Sequence, residues 1–135
     1  MRFNALAGTL PPELGLLTKI ASIDLLSNRL SGPIPSEIGL LTDLRTIFLG
    51  TNQLSGSIPS ELTNLSKLSL FSVDANEIQG RIPEGLGSLT DLVLFGAHSN
   101  SFTGSLPTGI GNLTKLVQFS IHNNLFSGSI PSELG

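Results

Sequence analysis

Apolar and polar positions repeat along this chain with a period of 24 residues. Asparagine marks the start of each repeat, with no insertion or deletion between copies: Asn4, Asn28, Asn52, Asn76, Asn100 and Asn124. Between Leu41 and Asn52 the apolar positions follow the spacing LxxLxxLxLxxN. One such unit cannot bury its apolar face alone and must stack on its neighbours. The pattern therefore predicts a single solenoid of about five and a half units.

A short stretch of each unit alternates with a period of two, which is typical of a strand. Ile23 and Leu25 alternate with Ser22, Asp24 and Leu26, so the first pair points inward and the other three point outward. Because the strand recurs in the same direction in every unit, we expect one parallel sheet with strands ~4.7–4.9 Å apart.

Glycine and proline mark the return from one strand to the next. Gly32 and its equivalents fall where the chain must turn, and glycine accepts a positive φ at little cost. Pro35 and its equivalents are expected to occupy the first position of a short 3₁₀ or α turn.

The asparagine column is interpreted as structural. A side-chain amide at a turn usually satisfies backbone groups, so we expect a buried hydrogen-bond ladder along the array. Phe71, Phe95 and Phe119 share one inward position in successive units and are expected to stack in the core.

The segment Leu54-Ser55-Gly56-Ser57-Ile58-Pro59 continues the LxxLxxLxLxxN spacing. Together they resemble the plant-specific class of the leucine-rich repeat family, known from ectodomains of receptor-like kinases and from polygalacturonase-inhibiting proteins. The resemblance covers essentially the whole chain. It implies an α/β solenoid, a right-handed superhelix with a parallel sheet on its concave face and short 3₁₀ or α turns outside.

The same resemblance implies a non-enzymatic recognition module. Its expected partner is a peptide or protein ligand on the concave sheet, and its expected context is the extracellular or cell-surface ectodomain of a receptor-like protein or kinase. Two alternatives stay open: a secreted inhibitor of a cell-wall hydrolase, and a structural or ice-binding array. Ice binding favours a regular polar row, whereas the last outward position reads Ser27, Thr51, Ala75, Ser99, Asn123.

The outward positions of the strands form the candidate recognition face, because they vary from unit to unit while the core positions do not. Phe48 is the expected anchor, since an aromatic side chain on a rigid sheet can bury a large area in a partner. The candidate ligand-binding residues are Asp24, Leu26, Thr46, Phe48, Leu70, Ser72, Asp74, Leu94, His98, Gln118, Ser120 and His122.

Asp74, His98 and His122 share one outward column and hold all the histidine of the chain. Two facing imidazoles could make a contact pH-dependent or contribute to a metal site, but an ordinary polar surface is the simpler interpretation. We predict neither a metal site nor a cofactor. No catalytic residue is predicted either, since an open sheet lacks the pocket and oxyanion donors on which catalysis depends.

Charge and hydropathy exclude two kinds of partner. The net charge is −3 and there is no basic patch, so no nucleic-acid partner is expected. No apolar run approaches ~18 residues, and the first residues lack a secretory apolar segment. A membrane connection is therefore expected only through segments outside this chain.

The chain contains no cysteine, whereas the resemblance implies paired cysteines in the terminal caps of extracellular arrays. Solenoids need polar caps. We therefore expect residues 1–135 to be one array, uncapped at both ends and part of a longer array. The alternative is end-to-end self-association.

Two N-glycosylation motifs fall at the same position of their units, Asn64-Leu65-Ser66 and Asn112-Leu113-Thr114. They predict glycans on the outer side at Asn64 and Asn112. The alternative is that Asn-Leu-Thr arises from the repeat consensus itself.

Overall fold

The computed structural model of this chain describes residues 4–134, and its elements follow the 24-residue period. Eleven short strands lie in this part of the chain: β1 Ala7–Thr9, β2 Ser22–Asp24, β3 Arg29–Pro33, β4 Thr46–Phe48, β5 Gln53–Ser55, β6 Leu70–Ser72, β7 Gln79–Gly80, β8 Leu94–Gly96, β9 Ser101–Gly104, β10 Gln118–Ser120 and β11 Leu125–Phe126. Six 3₁₀ helices alternate with them: η1 Pro12–Leu16, η2 Ser36–Leu40, η3 Ser60–Asn64, η4 Glu84–Ser88, η5 Thr108–Asn112 and η6 Ser132–Leu134.

One strand of each unit joins a five-stranded parallel sheet on the concave face, in the order β10-β8-β6-β4-β2. Equivalent residues of successive units lie directly opposite one another, as Ile47 does with Ile23 and Phe71. The predicted fold class, a leucine-rich repeat solenoid with a parallel sheet on its concave face, is confirmed. The sequence period fixes the register because every core column must stay on the same face.

The outer side differs from expectation in two ways. First, it contains a second set of short parallel strands, in two groups ordered β1-β3-β5 and β11-β9-β7, where turns alone were expected. Second, the repeated proline does not open its helix, although the helices of residues 4–134 are 3₁₀, one of the two expected forms. Pro35 precedes η2 as an extended residue and does not open it, with φ −68° and ψ 141°. Its carbonyl oxygen accepts the Ile38 N–H at 3.2 Å, which starts the turn.

The asparagine side chains join consecutive units through their amides. In Asn52, Oδ1 accepts the Leu30 N–H of the preceding unit at 3.0 Å. Its Nδ2 donates to Leu49 O at 3.0 Å and to Leu25 O, one repeat before Leu49, at 3.1 Å. Asn76, Asn100 and Asn124 repeat the arrangement. These asparagines are half-buried, where full burial was expected, because they line the edge of the core.

Aromatic side chains stack along the core as expected. Ring centroids are 5.4 Å apart between Phe71 and Phe95 and 5.5 Å apart between Phe95 and Phe119. Phe102 and Phe126 form a second, nearly parallel pair at 6.1 Å. The leucines and isoleucines of the repeat fill the space between them, so the core is continuous along the units.

Among residues 4–134, a glycine in four of the units allows neighbouring 3₁₀ helices to touch. A Cβ at Gly15 would lie 2.6 Å from the Glu37 carbonyl oxygen, and a Cβ at Gly39 would overlap that of Glu61. The third unit carries Thr63 at this position, and Gly85 lies against it. The helices η3 and η4 consequently pack less closely than their neighbours. A groove of about 620 Å³ opens between units three and four.

Replacing Asn52 by leucine should destabilise the array by about 1–3 kcal/mol, because Leu30 N–H and the Leu25 and Leu49 carbonyls lose their partner. Denaturant unfolding measures this change. The matched control is Gln53→Leu, which alters an exposed amide of the neighbouring residue. Equal stability of the two variants would mean that the ladder contributes nothing.

Gly39→Ala should also destabilise the array by about 1–3 kcal/mol, since the added methyl overlaps the Glu61 carbonyl oxygen. Thr63→Ala, at the same position of the next unit, should cost less than about 1 kcal/mol because the structure already accommodates a side chain there. Thermal or denaturant unfolding of the two variants compares them. A larger loss at Thr63 than at Gly39 would contradict the proposed reason for the open junction.

Candidate recognition face

The candidate ligand-binding residues lie together on the concave sheet. Ser22, Thr46, Leu70, Leu94 and Gln118 are in register across the five strands, and so are Asp24, Phe48, Ser72, Gly96 and Ser120. A third column follows the strands and consists of Leu26, Gly50, Asp74, His98 and His122. The side chains differ in accessibility: Gln118 and His122 are exposed, whereas Phe48, Leu70 and Leu94 are half-buried.

Ser72 is less accessible than an outward strand position suggests. Its exposed fraction is only 7%, and its hydroxyl donates to Asp74 Oδ2 at 2.6 Å. Gly50 also lies over it, since a Cβ there would be 3.3 Å from Ser72 Oγ. This corrects the expectation of a freely accessible Ser72. Its role on this face is to hold Asp74.

A hollow of about 280 Å³ crosses the concave face diagonally. Its lining residues come from all five units of the sheet: Leu26, Phe48, Ser72, Asp74, Leu94 and Gln118. Two outward positions beside them, Gly50 and Gly96, have no side chain and are buried. Sequence reasoning identified the columns but missed the hollow. The available signal was the pair of glycines at outward positions, where most units carry a side chain.

Asp74 is held in place by the strand next to it. Its Oδ1 accepts the backbone N–H of His98 at 2.9 Å, while its Oδ2 accepts the Ser72 hydroxyl. Gly96 permits this position, because a Cβ there would lie 2.5 Å from Oδ2. The side chain is 23% exposed. The result is a fixed carboxylate in the wall of the hollow.

The two histidines stack at one end of this cluster. Their ring centroids are 4.6 Å apart and the planes differ by 6°. His98 Nε2 lies 3.6 Å from Asp74 Oδ1, and His98 Nδ1 lies 3.1 Å from Ser99 Oγ.

The contacts among Ser99, His98 and Asp74 are not arranged as a catalytic relay. The 3.6 Å separation between His98 Nε2 and Asp74 Oδ1 is longer than a hydrogen bond. Ser99 itself occupies a bend with φ 53°, on an open sheet. Within residues 4–134, no three or more of the side chains of His, Cys, Asp or Glu are grouped to hold a metal ion.

The last outward column occupies a sharp bend and not a flat surface. Ser27, Thr51, Ala75, Ser99 and Asn123 all have φ between 52° and 55°. The backbone amides of the first four pair with the next unit, as Thr51 N–H does with Asp74 O at 2.7 Å. The row is irregular in composition, because Ala75 interrupts its polar side chains.

The outer surface carries the glycosylation motifs and two ion pairs. Asn64 and Asn112 are exposed at the last residues of η3 and η5. Lys67 Nζ lies 2.7 Å from Asp43 Oδ1, and its hydrogen bond lowers the pKa of that carboxyl. Lys115 pairs with Asp91 at 2.6 Å and lowers its pKa for the same reason. These charges are therefore compensated locally, away from the sheet.

Known proteins were compared with this chain at the level of sequence and structure. The family model described as Leucine Rich Repeat matches residues 43–65 and 115–135. No match was found among curated protein sequences. Among the residues described, no helix has the length and apolar character needed to cross a membrane.

Three solved structures illustrate the likeness. The ectodomain of the Arabidopsis thaliana membrane receptor kinase GASSHO1/SCHENGEN3, in complex with CASPARIAN STRIP INTEGRITY FACTOR 2, is 42% identical with a TM-score of 0.97 over 99% of this chain. The Arabidopsis receptor kinase HAESA, in complex with the peptide hormone IDA and the co-receptor SERK1, is 35% identical with a TM-score of 0.94 over 97%. The ectodomain of the Arabidopsis thaliana receptor kinase SOBIR1 is 28% identical with a TM-score of 0.90 over 96%.

These matches cover different shares of the solved chains. The chain spans 16% of the GASSHO1 chain and 22% of the HAESA chain, but 71% of the SOBIR1 chain. Three features indicate the same family: the repeats matched by the family model, the parallel concave sheet and the asparagine ladder. The chain therefore belongs to the leucine-rich repeat family, in the plant type found in receptor kinase ectodomains.

Proposed function

We propose that this chain is part of the ectodomain of a plant receptor-like protein or receptor kinase, where it binds a peptide or protein ligand on its concave sheet. The similar chains support this role, since HAESA is solved with a peptide hormone and a co-receptor. GASSHO1 is likewise solved with a bound factor. Binding without catalysis is part of the proposal, because the open sheet offers no enclosed site for a reaction.

The observation that carries the proposal is the hollow of the concave face. The inward columns repeat nearly the same apolar residues in every unit, as a stacked core requires. The outward columns instead combine leucine, phenylalanine, carboxylate, imidazole and glycine within one rigid sheet. A concave surface with apolar walls and a few fixed polar groups is the usual form of a recognition site.

An extracellular location is also part of the proposal. It is supported by the ectodomains that this chain resembles and by the two exposed asparagines of the sequence motifs, Asn64 and Asn112. Both lie at helix ends outside the concave sheet. Glycans there would therefore leave the proposed ligand surface open.

Secretion of this chain from eukaryotic cells should yield a product carrying glycans at both motifs. Intact mass measurement of the wild type, Asn64→Gln and Asn112→Gln checks this expectation, because each substitution should remove one glycan. Thr63→Ala, next to the first motif, is the control and should leave the mass of the glycans unchanged. An unmodified wild-type mass would contradict the predicted glycans at Asn64 and Asn112.

Binding at the concave sheet is tested by selecting peptides from a random displayed library on the purified 135-residue chain. Leu70→Arg introduces a charged side chain on the concave face, at a half-buried position. It should weaken the affinity of the selected peptides by about tenfold or more, which corresponds to ~1.4 kcal/mol. The same substitution at the exposed Leu40 of η2 should change affinity by less than about threefold.

The comparison of the two arginine variants decides between surfaces. Loss of binding in Leu70→Arg alone supports the concave sheet. Equal binding by both variants, or selective loss in Leu40→Arg, would place the ligand on another surface and overturn the proposal. Circular dichroism of both variants verifies that the array is folded.

A further inference from the structure

We propose that the hollow on the concave face is a subsite for a basic residue of the ligand, flanked by an apolar residue. This inference rests on the proposed function and specifies which ligand chemistry the site accepts. The occupant is a lysine or arginine side chain whose charged end meets Asp74. An apolar neighbour in the ligand packs between the leucines and Phe48.

The apolar half of the subsite is formed by Leu26, Phe48 and Leu94. They come from different units, so the surface exists only when several units stack. Gly50 lies next to Leu26, where a Cβ would approach Leu26 Cδ1 to 3.1 Å. The absence of a side chain at Gly50 therefore deepens the hollow. A ligand side chain that fills it gains from burial of apolar area on both partners.

The polar half is the Asp74 carboxylate. A carboxylate has about four acceptor positions. Two of them are directed to the Ser72 hydroxyl and the His98 N–H. The group also lines the hollow, so its remaining acceptors are available to a ligand donor. Because the carboxylate is already held in place, a ligand does not have to order it on binding.

The sign of the charge on this face selects the ligand. The three outward columns contain Asp24 and Asp74 but no lysine or arginine. The only groups in these columns that can become positive are His98 and His122, and His98 Nε2 stays 3.6 Å from the carboxylate. The cations of Lys67 and Lys115 are paired with Asp43 and Asp91 on the outer surface.

Charge complementarity therefore favours a cationic group and disfavours an acidic one. An acidic side chain in the hollow would face Asp74 without a compensating cation, which costs binding free energy. A lysine or arginine side chain complements both halves of the subsite, because its methylene stem can lie on the apolar half while its charged end reaches the carboxylate.

The test uses peptides selected on the wild-type chain near pH 7 and measures their affinity by calorimetry. We expect an enriched pair of adjacent residues, one basic and one apolar. Asp74→Asn should weaken the affinity of these peptides by about tenfold or more, because it removes the charge of the side chain but keeps its shape. The control is Glu77→Gln, an equal charge change at an exposed residue outside the candidate recognition face and the lining of the hollow. It should change affinity by less than about threefold.

A second measurement keeps the test valid if Asp74→Asn perturbs the sheet. Replacing the basic peptide residue by glutamine should cause a similar loss with the wild-type chain, and little further loss with Asp74→Asn, since the pair is then already broken. High salt, about 1 M, should reduce the affinity for wild type more than for Asp74→Asn.

The outcomes separate this inference from the proposed function. Peptides that lose affinity with Leu70→Arg but lack a basic residue, or bind equally well to Asp74→Asn and Glu77→Gln, would overturn the subsite alone. Peptides unaffected by Leu70→Arg would overturn both. A selection enriched in acidic residues would also contradict the subsite.

Discussion

The solenoid depends on the side-chain amide of the repeated asparagine, because this one group binds backbone atoms of two consecutive units. Asn76 accepts the Leu54 N–H and donates to Val73 O and to Leu49 O, which lies one repeat before Val73. Only a short side chain with both an acceptor and two donor hydrogens can make this set. Aspartate would turn an acceptor toward two carbonyls, and leucine would leave all three backbone groups unsatisfied.

This link fixes the spacing of the strands and so determines the concave face. Each outward side chain lies beside its equivalent in the next unit, and neither the core nor the ladder uses it. Its identity can therefore change without loss of the fold. The hollow arises in this way: glycines at two outward positions lower the floor, while Leu26, Phe48 and Leu94 supply the walls. The core and the asparagine ladder, on the other side of the strands, give this face the rigidity that recognition requires.

The columns of the repeat could be predicted from the sequence, because residues at the same position have the same surroundings in every unit. The aromatic stack of Phe71, Phe95 and Phe119 follows directly from their equal spacing. The outer strands could not be predicted in this way, because their residues follow turn positions and are held by backbone pairing between units. The burial of Ser72 depends on a neighbouring glycine and on its hydrogen bond to Asp74 beyond the strand end. Assigning residues to columns of the repeat does not reveal either contact.

Departures from the repeat were the informative positions of the candidate site. Thr63 stands where other units have glycine, and the groove between units three and four follows from it. Gly96 stands where other units have a side chain, and it lets the Asp74 carboxylate lie against the next strand. Both changes are visible in the sequence. Their consequences need the packed structure, because each involves the backbone of a neighbouring unit.

The central claim, that this face recognises a ligand, is tested most directly by a crystal structure of the chain with a peptide selected on it. The account predicts a peptide lying across β4, β6 and β8, with a basic side chain at the Asp74 carboxylate and an apolar neighbour against Phe48. A peptide bound along the 3₁₀ helices, with the concave sheet empty, would contradict it.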